Sequence, residues 1–248
     1  MIKLVQPVRG ILKDLPNGII AQRFGVDPAN YSTWGLKGHN GLDLATFFKD
    51  TIMAAHNGTI ISVELDPYHT LGKNVWLVSN KQPDGRYTCT VYAHMENVNV
   101  KIGDKIKTGD KIGEMGNTGN VRSLRGEGGF TGIHLHFGVY EYINPQPNTY
   151  QKSYPSGNSY SVLSFNNGFK GALNPCDFLG CDNIDMLKII GDNKTKRQYL
   201  LGNDGLYTWI YNETLLNWIH NSGIADKFQV EWKDIDISKI KETIALIK

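Results

Sequence analysis

From residue 19 to about 143 the apolar positions fall in short alternating runs separated by Gly-rich turns. Examples are Gly58-Thr-Ile-Ile-Ser-Val-Glu-Leu65, Asn74-Val-Trp-Leu-Val-Ser79 and Tyr87 to His94. Alternation with a period of two is the mark of strands, and it predicts an all-β layer. Within Val100 to Gly113 the sequence Ile-Gly-Asp-Lys-Ile is followed by Thr-Gly-Asp-Lys-Ile, each Gly-Asp suiting a tight turn between short strands. Helical spacing is scarce before residue 180, which argues against a bundle or an alternating α/β sheet. The expected fold is therefore mainly β, an antiparallel sheet with Gly-rich groove loops.

From Asn144 to about Phe169 the chain turns to Asn, Pro, Ser, Tyr and Gly, which predicts a long surface loop. A new pattern begins after Asn174-Pro-Cys-Asp-Phe-Leu179. Arg197 to Leu201 and Leu206 to Ile210 flank the turn residues Gly202-Asn-Asp-Gly205 as a hairpin. A helix is expected next, capped by Asn212, with Leu215, Leu216 and Ile219 on one face and Gly223 at its stop. A last short helix is expected from Ile240, Ile244 and Ile247. The organisation predicted is a first domain over 1–182, with a loop insertion at about 144–170, and a small C-terminal α+β domain over 183–248. Trp209, Trp218 and Trp232 fall in that second segment, where a small core needs aromatics.

The 248 residues carry 26 Lys+Arg against 24 Asp+Glu, a formal charge of +2. That is too near neutral for an electrostatic grip on nucleic acid or on an anionic membrane surface. No apolar run approaches the ~18 residues of a membrane span. Residues 1–10 hold a single Lys and too few apolar residues for a secretory leader. Of three cysteines, Cys89 lies in a strand pattern as a small core residue, while Cys176 and Cys181 suit two thiols or one local bridge equally.

Chemistry concentrates in two motifs. Gly38-His39-Asn-Gly-Leu-Asp43 offers an imidazole and a carboxylate four apart, flanked by glycines. Ile133-His134-Leu-His136-Phe137 offers two imidazoles two apart, which on a strand share a face. His39, Asp43 and one of that pair can hold a tetrahedral zinc ion with its fourth position open, as catalytic zinc sites do. His56, beside Gly58, and His69, in Asp66-Pro-Tyr-His-Thr70, are expected on the surface, and His220 late in the predicted helix.

Adding Tyr92-Ala-His94-Met completes a set that resembles the lysostaphin-like zinc endopeptidases, which cut peptidoglycan peptides. The resemblance covers about residues 19–143 and Asn174 to Leu179, in the family's order. Ile20 to Gly25 looks like the lead-in, and Ala54-Ala-His-Asn-Gly58 like the turn after the first metal motif. Gly116-Asn-Thr-Gly119 leads to the His-x-His pair. The resemblance implies zinc ligands His39, Asp43 and His136, one zinc per chain, and catalytic imidazoles His94 and His134 that face the attacking water and the oxyanion. Two departures stand out: Ile133 replaces the family's usual Pro, and the link Asn120 to Thr131 is longer than usual.

The implied substrate is bacterial peptidoglycan, cut in the stem peptide or cross-bridge, with action at the cell wall, extracellular, periplasmic or virion-associated. A phage or prophage wall-degrading enzyme is expected, with a virion or wall partner for the C-terminal domain. One competing reading is a non-catalytic binding or activator module on the same fold; such members usually lose a ligand, and here none is lost. Another is a non-haem iron oxygenase, but its facial triad typically spaces the first pair as His-x-Asp.

Overall fold

The computed structural model describes residues 2–10, 12–15, 18–46, 50–121, 132–181 and 194, with the five C-terminal strands given below. The chain divides into two compact units, Met1–Cys181 and Asp182–Lys248. Among the described residues of the first unit the strands are β1 (Ile20–Gln22), β2 (Leu42–Leu44), β3 (Thr51–Met53), β4 (Gly58–Glu64), β5 (Lys73–Val78) and β6 (Tyr87–Val98). They continue with β7 (Lys105–Ile106), β8 (Lys111–Met115), β9 (Leu135–Ile143), β10 (Gln151–Ser153), β11 (Ser159–Val162) and β12 (Ala172–Leu173). The main sheet runs β1-β2-β9-β6-β5-β4-β7, every neighbouring pair antiparallel. Among the described residues helical turns are short pieces such as Pro28–Tyr31 and Cys176–Leu179. No helix among the described residues is long and apolar enough to cross a membrane.

β6 and β9 form the centre. From Thr88 to Met95 every residue of β6 is buried, which requires cover on both faces of the sheet. Register pairs Cys89 with Tyr140, Val91 with Gly138 and Ala93 with His136, so these residues share one face. On it Cys89, Val91 and Ala93 pack with Ile61, Trp76, Val78, Tyr142, Tyr154, Tyr160 and Val162. The opposite face carries Thr90 and Tyr92, with the Tyr92 and Phe137 rings 5.4 Å apart. Cys89 is a free, fully buried thiol, pushed up to about 12 by burial.

The tandem Gly-Asp turns close β6 to β7 and β7 to β8. In each, the Asp side chain accepts the backbone N–H three residues earlier, Asp104 from Lys101 and Asp110 from Lys107. Gly103 and Gly109 supply the left-handed φ, 92° and 85°, that the turn needs.

Four readings of the sequence are changed or, for the Cys176–Cys181 pair, settled between two open alternatives. The segment 144–169, read as a loop, contains the hairpin β10–β11, and β11 pairs back onto β9. Its strands are short and polar, but Tyr154, Tyr160 and Val162 are buried in the aromatic cluster and anchor them. Lys152 lies over the Trp76 ring at 3.4 Å from its centroid, adding a cation–aromatic contact. Cys176 and Cys181 form a disulfide. The third change is at the chain end, where Ile240–Lys241 is a strand rather than the start of a helix. The fourth concerns His56, which is not on the surface but 2% exposed.

The second unit contains β13 (Lys188–Asp192), β14 (Gln198–Leu201), β15 (Tyr207–Trp209), β16 (Glu231–Lys233) and β17 (Ile240–Lys241), in the order β16-β13-β14-β15-β17. β14 and β15 are the hairpin the sequence predicts. β17 runs parallel to β15, so its isoleucine spacing serves a strand at its start. The helix expected at 212–223, with Trp218 and His220, lies outside the described residues.

The reason for the burial of His56 is a polar network. Its Nδ1 donates to the Asn57 carbonyl at 2.9 Å, and its Nε2 lies 3.0 Å from the Thr90 hydroxyl. The Thr90 and Tyr92 hydroxyls are 3.0 Å apart, and Tyr92 accepts from the Ala55 N–H at 2.8 Å. Burial lowers the His56 pKa below its ordinary value, so the unfolded chain binds the extra proton first as pH falls. Stability is therefore present above the unfolded pKa of about 6.5 and lost on acidification, at up to about 1.4 kcal/mol per pH unit. In urea unfolding, the stability advantage of the native chain over His56→Gln is expected to shrink between about pH 7.5 and about pH 5. An equal gap at both pH values would contradict this account.

Candidate metal centre

β2 lies beside β9 in a register that pairs Leu42 with Phe137, Asp43 with His136 and Leu44 with Leu135. Asp43 and His136 are thus cross-strand neighbours on one face. His39 reaches them from the loop before β2, which is tied down by Gly25 N–H to His39 C=O at 2.8 Å and His39 N–H to Val26 C=O at 2.9 Å. The backbone opposite His136 is glycine: a Cβ on Gly41 would stand 2.5 Å from its Cε1 and 2.6 Å from its Nε2.

Three donor atoms converge. His39 Nε2 is 2.9 Å from His136 Nδ1 and 3.1 Å from Asp43 Oδ1, and His136 Nδ1 is 3.0 Å from the same oxygen. The three residues are buried. The far nitrogen of His39, Nδ1, faces the Arg23 carbonyl at 3.1 Å. A carbonyl can only accept, so Nδ1 carries the proton and Nε2 presents a lone pair to the centre. Lone pairs of an imidazole and a carboxylate turned to one buried point suit a cation. Ligands about a tetrahedral zinc at ~2.0–2.1 Å stand about 3.3–3.4 Å apart, so the observed triangle needs only slight expansion. The donor set fits the ion.

The electrostatics agree. Burial alone would raise the Asp43 carboxyl, but the imidazoles packed around it, His39 first and then His136 and His134, outweigh it and hold Asp43 well below the usual carboxylate range. Burial lowers His136, against the pull of Asp43. Asp43 is thus an anion and His136 a neutral ring that Asp43 orients.

Two further imidazoles border this triangle. His134, bridged to Gly116 just before β9, has Nε2 at 3.6 Å from Asp43 Oδ2. The His94 ring centroid is 4.9 Å from that of His134 and 5.9 Å from that of His136. Both hold their Nδ1 protons against backbone carbonyls at 2.8 Å, His94 on Thr118 and His134 on Gly132. In the neutral ring Nε2 is then the free acceptor of each. Burial, and then the neighbouring His134 and His136, push His94 down to about 3, so near neutral pH it is an uncharged ring.

The five side chains singled out in the sequence, His39, Asp43, His94, His134 and His136, lie together. His56 stands apart in its own network, and His69 is exposed on the loop beside Gly72. Among the described residues, further ones build the site without having been singled out: Arg23, Thr118 and Gly132 through their carbonyls, Gly41 through its missing side chain, and Tyr31. The Tyr31 ring lies 5.4 Å from that of His39 and 5.5 Å from Trp34, which is 47% exposed. The aromatic spacing Tyr31-Ser-Thr-Trp34 was the available signal for the last. The long link after Asn120 falls mostly within 122–131, outside the described residues.

Residues 37–148 match the model of peptidase family M23. The chain is 31% identical over 134 residues to an uncharacterized metalloprotease of Buchnera aphidicola subsp. Baizongia pistaciae, across 51% of this chain and 30% of that protein. It is 33% identical over 95 residues to the peptidoglycan DD-endopeptidase ShyA of Vibrio cholerae, across 34% of this chain and 20% of that one. The chain thus spans less than a third of the length of these curated relatives. Among solved structures, the catalytic domain of lysostaphin from Staphylococcus simulans is 26% identical, with a TM-score of 0.39, covering 58% of this chain and 80% of that one. Both histidine motifs lie inside the segment 37–148 that matches the peptidase M23 domain, the lysostaphin-like family.

Proposed function

We propose that this chain is a zinc-dependent endopeptidase that hydrolyses peptide bonds in bacterial peptidoglycan, acting at the cell wall. The observation that carries the reading is the buried triangle of His39, Asp43 and His136 with the free Nε2 atoms of His94 and His134 beside it. The substrate class is supported by the family match and by the name of the Vibrio cholerae relative.

A zinc ion held by His39 Nε2, Asp43 and His136 Nδ1 would supply Lewis acidity and lower the pKa of a water molecule. The remaining work belongs to the chain. Two neutral imidazoles and one carboxylate contribute a single negative charge, which leaves a divalent ion net positive. Of His94 and His134, one accepts the water proton at Nε2 and passes it to the leaving amine. The other, carrying a proton at Nε2, donates to the developing oxyanion. The carbonyls of Thr118 and Gly132 hold both rings in the orientation that makes Nε2 the working atom.

The test is digestion of purified sacculi of several cross-link types by the native chain and by His136→Ala, with bound metal assayed in parallel. Zinc near one per chain and new amino termini released only by the native chain are expected, and mass analysis then names the bond. Zinc without cleavage of any sacculus would point to a binding module instead, and no zinc after reconstitution would overturn the metal reading.

A further inference from the structure

His94 occupies an irregular position in β6, and the segment around Thr118 holds it there. The pairing of β5 with β6 runs Val75 to Tyr92 and then Lys73 to Met95, so two steps on β5 face three on β6. The extra residue is a bulge in the stretch Ala93–His94. His94 has φ 61°, left-handed backbone that a non-glycine side chain adopts only when its surroundings compel it. Ala93 pairs with His136 and shares its face, so strict alternation would send His94 to the opposite face. The left-handed residue breaks the alternation and returns the His94 ring to His134 and His136.

Several bonds compel this conformation, and most converge on Thr118. The Thr118 carbonyl accepts the His94 Nδ1 proton at 2.8 Å. Its hydroxyl donates to the Met95 carbonyl at 2.9 Å and accepts the Lys73 N–H at 3.0 Å. One side chain thereby ties together the two strand residues that flank the bulge. The Leu71 carbonyl accepts the His94 N–H at 2.9 Å. Gly119 N–H to Pro67 C=O at 2.7 Å and Asn120 N–H to Thr70 C=O at 3.0 Å fasten the Thr118 segment to the 66–72 loop. Gly72 and Gly119 permit this approach: a Cβ on either would collide with Thr118 or with Gly72 itself.

We propose that Thr118 is the positioning residue for His94: its hydroxyl staples the bulge, and its carbonyl fixes the ring so that Nε2 faces the metal triangle. The proposal rests on the peptidase reading for its kinetic consequence but not for its structural one. Removing the hydroxyl leaves the Met95 carbonyl and the Lys73 N–H without their partner and releases the Thr118 carbonyl from its place. Serine keeps both bonds.

The experiment compares Thr118→Val, nearly the same shape without the hydroxyl, with Thr118→Ser in the full chain; Thr118→Ala replaces the valine variant should that fail to fold. Two readouts are taken: kinetics on peptidoglycan peptides with zinc content, and the ¹⁵N chemical shifts of the His94 ring, which report its tautomer without turnover. With Val, kcat is expected to fall about 10–100-fold, as for other residues that support a site from behind, with KM and zinc content within about twofold. The Nδ1–H signature of His94 should be lost or averaged. With Ser, both should stay close to native. Native kcat and an unchanged His94 spectrum in the valine variant would overturn the proposal, as would equal damage from Val and Ser, which would make the methyl group the cause. A native chain that cleaves nothing, with the His94 tautomer still disturbed by Val, would refute the peptidase reading and keep the positioning role.

Discussion

Replacing Gly41 by alanine is expected to weaken zinc binding sharply while leaving every donor in the sequence. The new Cβ would stand 2.5 Å from His136 Cε1, 2.6 Å from its Nε2 and 2.9 Å from the Phe137 carbonyl oxygen. The carbonyl belongs to central strand β9 and cannot retreat, so the imidazole must turn away. His136 Nδ1 is the atom held 2.9 Å from His39 Nε2 and 3.0 Å from Asp43 Oδ1, and a turn of the ring takes it out of the triangle. Placement errors of about 1 Å cost on the order of 10²-fold in activity, so a loss of about 100-fold in zinc affinity and in kcat/KM is expected. Overpacking of this kind destabilises by about 1–3 kcal/mol, which leaves the chain folded enough to measure. A control is Gly103→Ala, where the new Cβ meets nothing within 4 Å but φ is 92°. That variant should lose roughly 1 kcal/mol of stability and none of its zinc affinity. Competition against a chromogenic chelator reads both, and native affinity in Gly41→Ala would sink the steric account.

The same comparison of side chain with backbone explains what the sequence made legible. Short runs of β-branched and aromatic residues between turn signals marked Gly58–Glu64 and Tyr87–Val98 as strands, although the second is buried on both faces from Thr88 to Met95. The spacing of His39 to Asp43 and of His134 to His136 was visible for a related reason: polar side chains at fixed offsets inside apolar strand patterns demand a partner. The structure brings these side chains together across β2 and β9. What could not be read was the face that His94 presents. Alternation assigns it to the wrong side, and only the bulge opposite Lys73 and Val75 corrects that. Thr118 and the Arg23 carbonyl act through the backbone, where sequence carries little signal. The β10–β11 hairpin was hidden because Gln151–Ser153 and Ser159–Val162 are short and polar, and the burial of Tyr154 and Tyr160 that secures them is a tertiary effect. His56 looked like a turn residue until Thr90 and Asn57 supplied its partners.

Removing His94 or His134 should separate proton handling from metal holding. His94→Ala and His134→Ala are each expected to retain zinc near the native stoichiometry, because neither ring belongs to the triangle of His39, Asp43 and His136. Loss of a positioned acid or base typically lowers rates by about 10²–10⁴-fold, and that range is expected for kcat in both variants. KM should change far less, since the groups removed act on the reacting atoms rather than on the bulk of a polymeric substrate. The double variant should be scarcely worse than the more damaged single one. The ring that takes the water proton and the ring that steadies the oxyanion act in the same transition state, and groups that act as a unit fail together, so their effects do not multiply. By contrast, His136→Ala should lose metal and activity at once. Kinetics on one soluble muropeptide, with zinc measured on the same preparations, decides the matter. If either single variant loses its zinc, that histidine is a ligand and the triangle is assigned wrongly. If either keeps native kcat, it moves no proton in the rate-limiting step. A multiplicative double variant would mean that the two imidazoles act independently and not as a unit in one transition state.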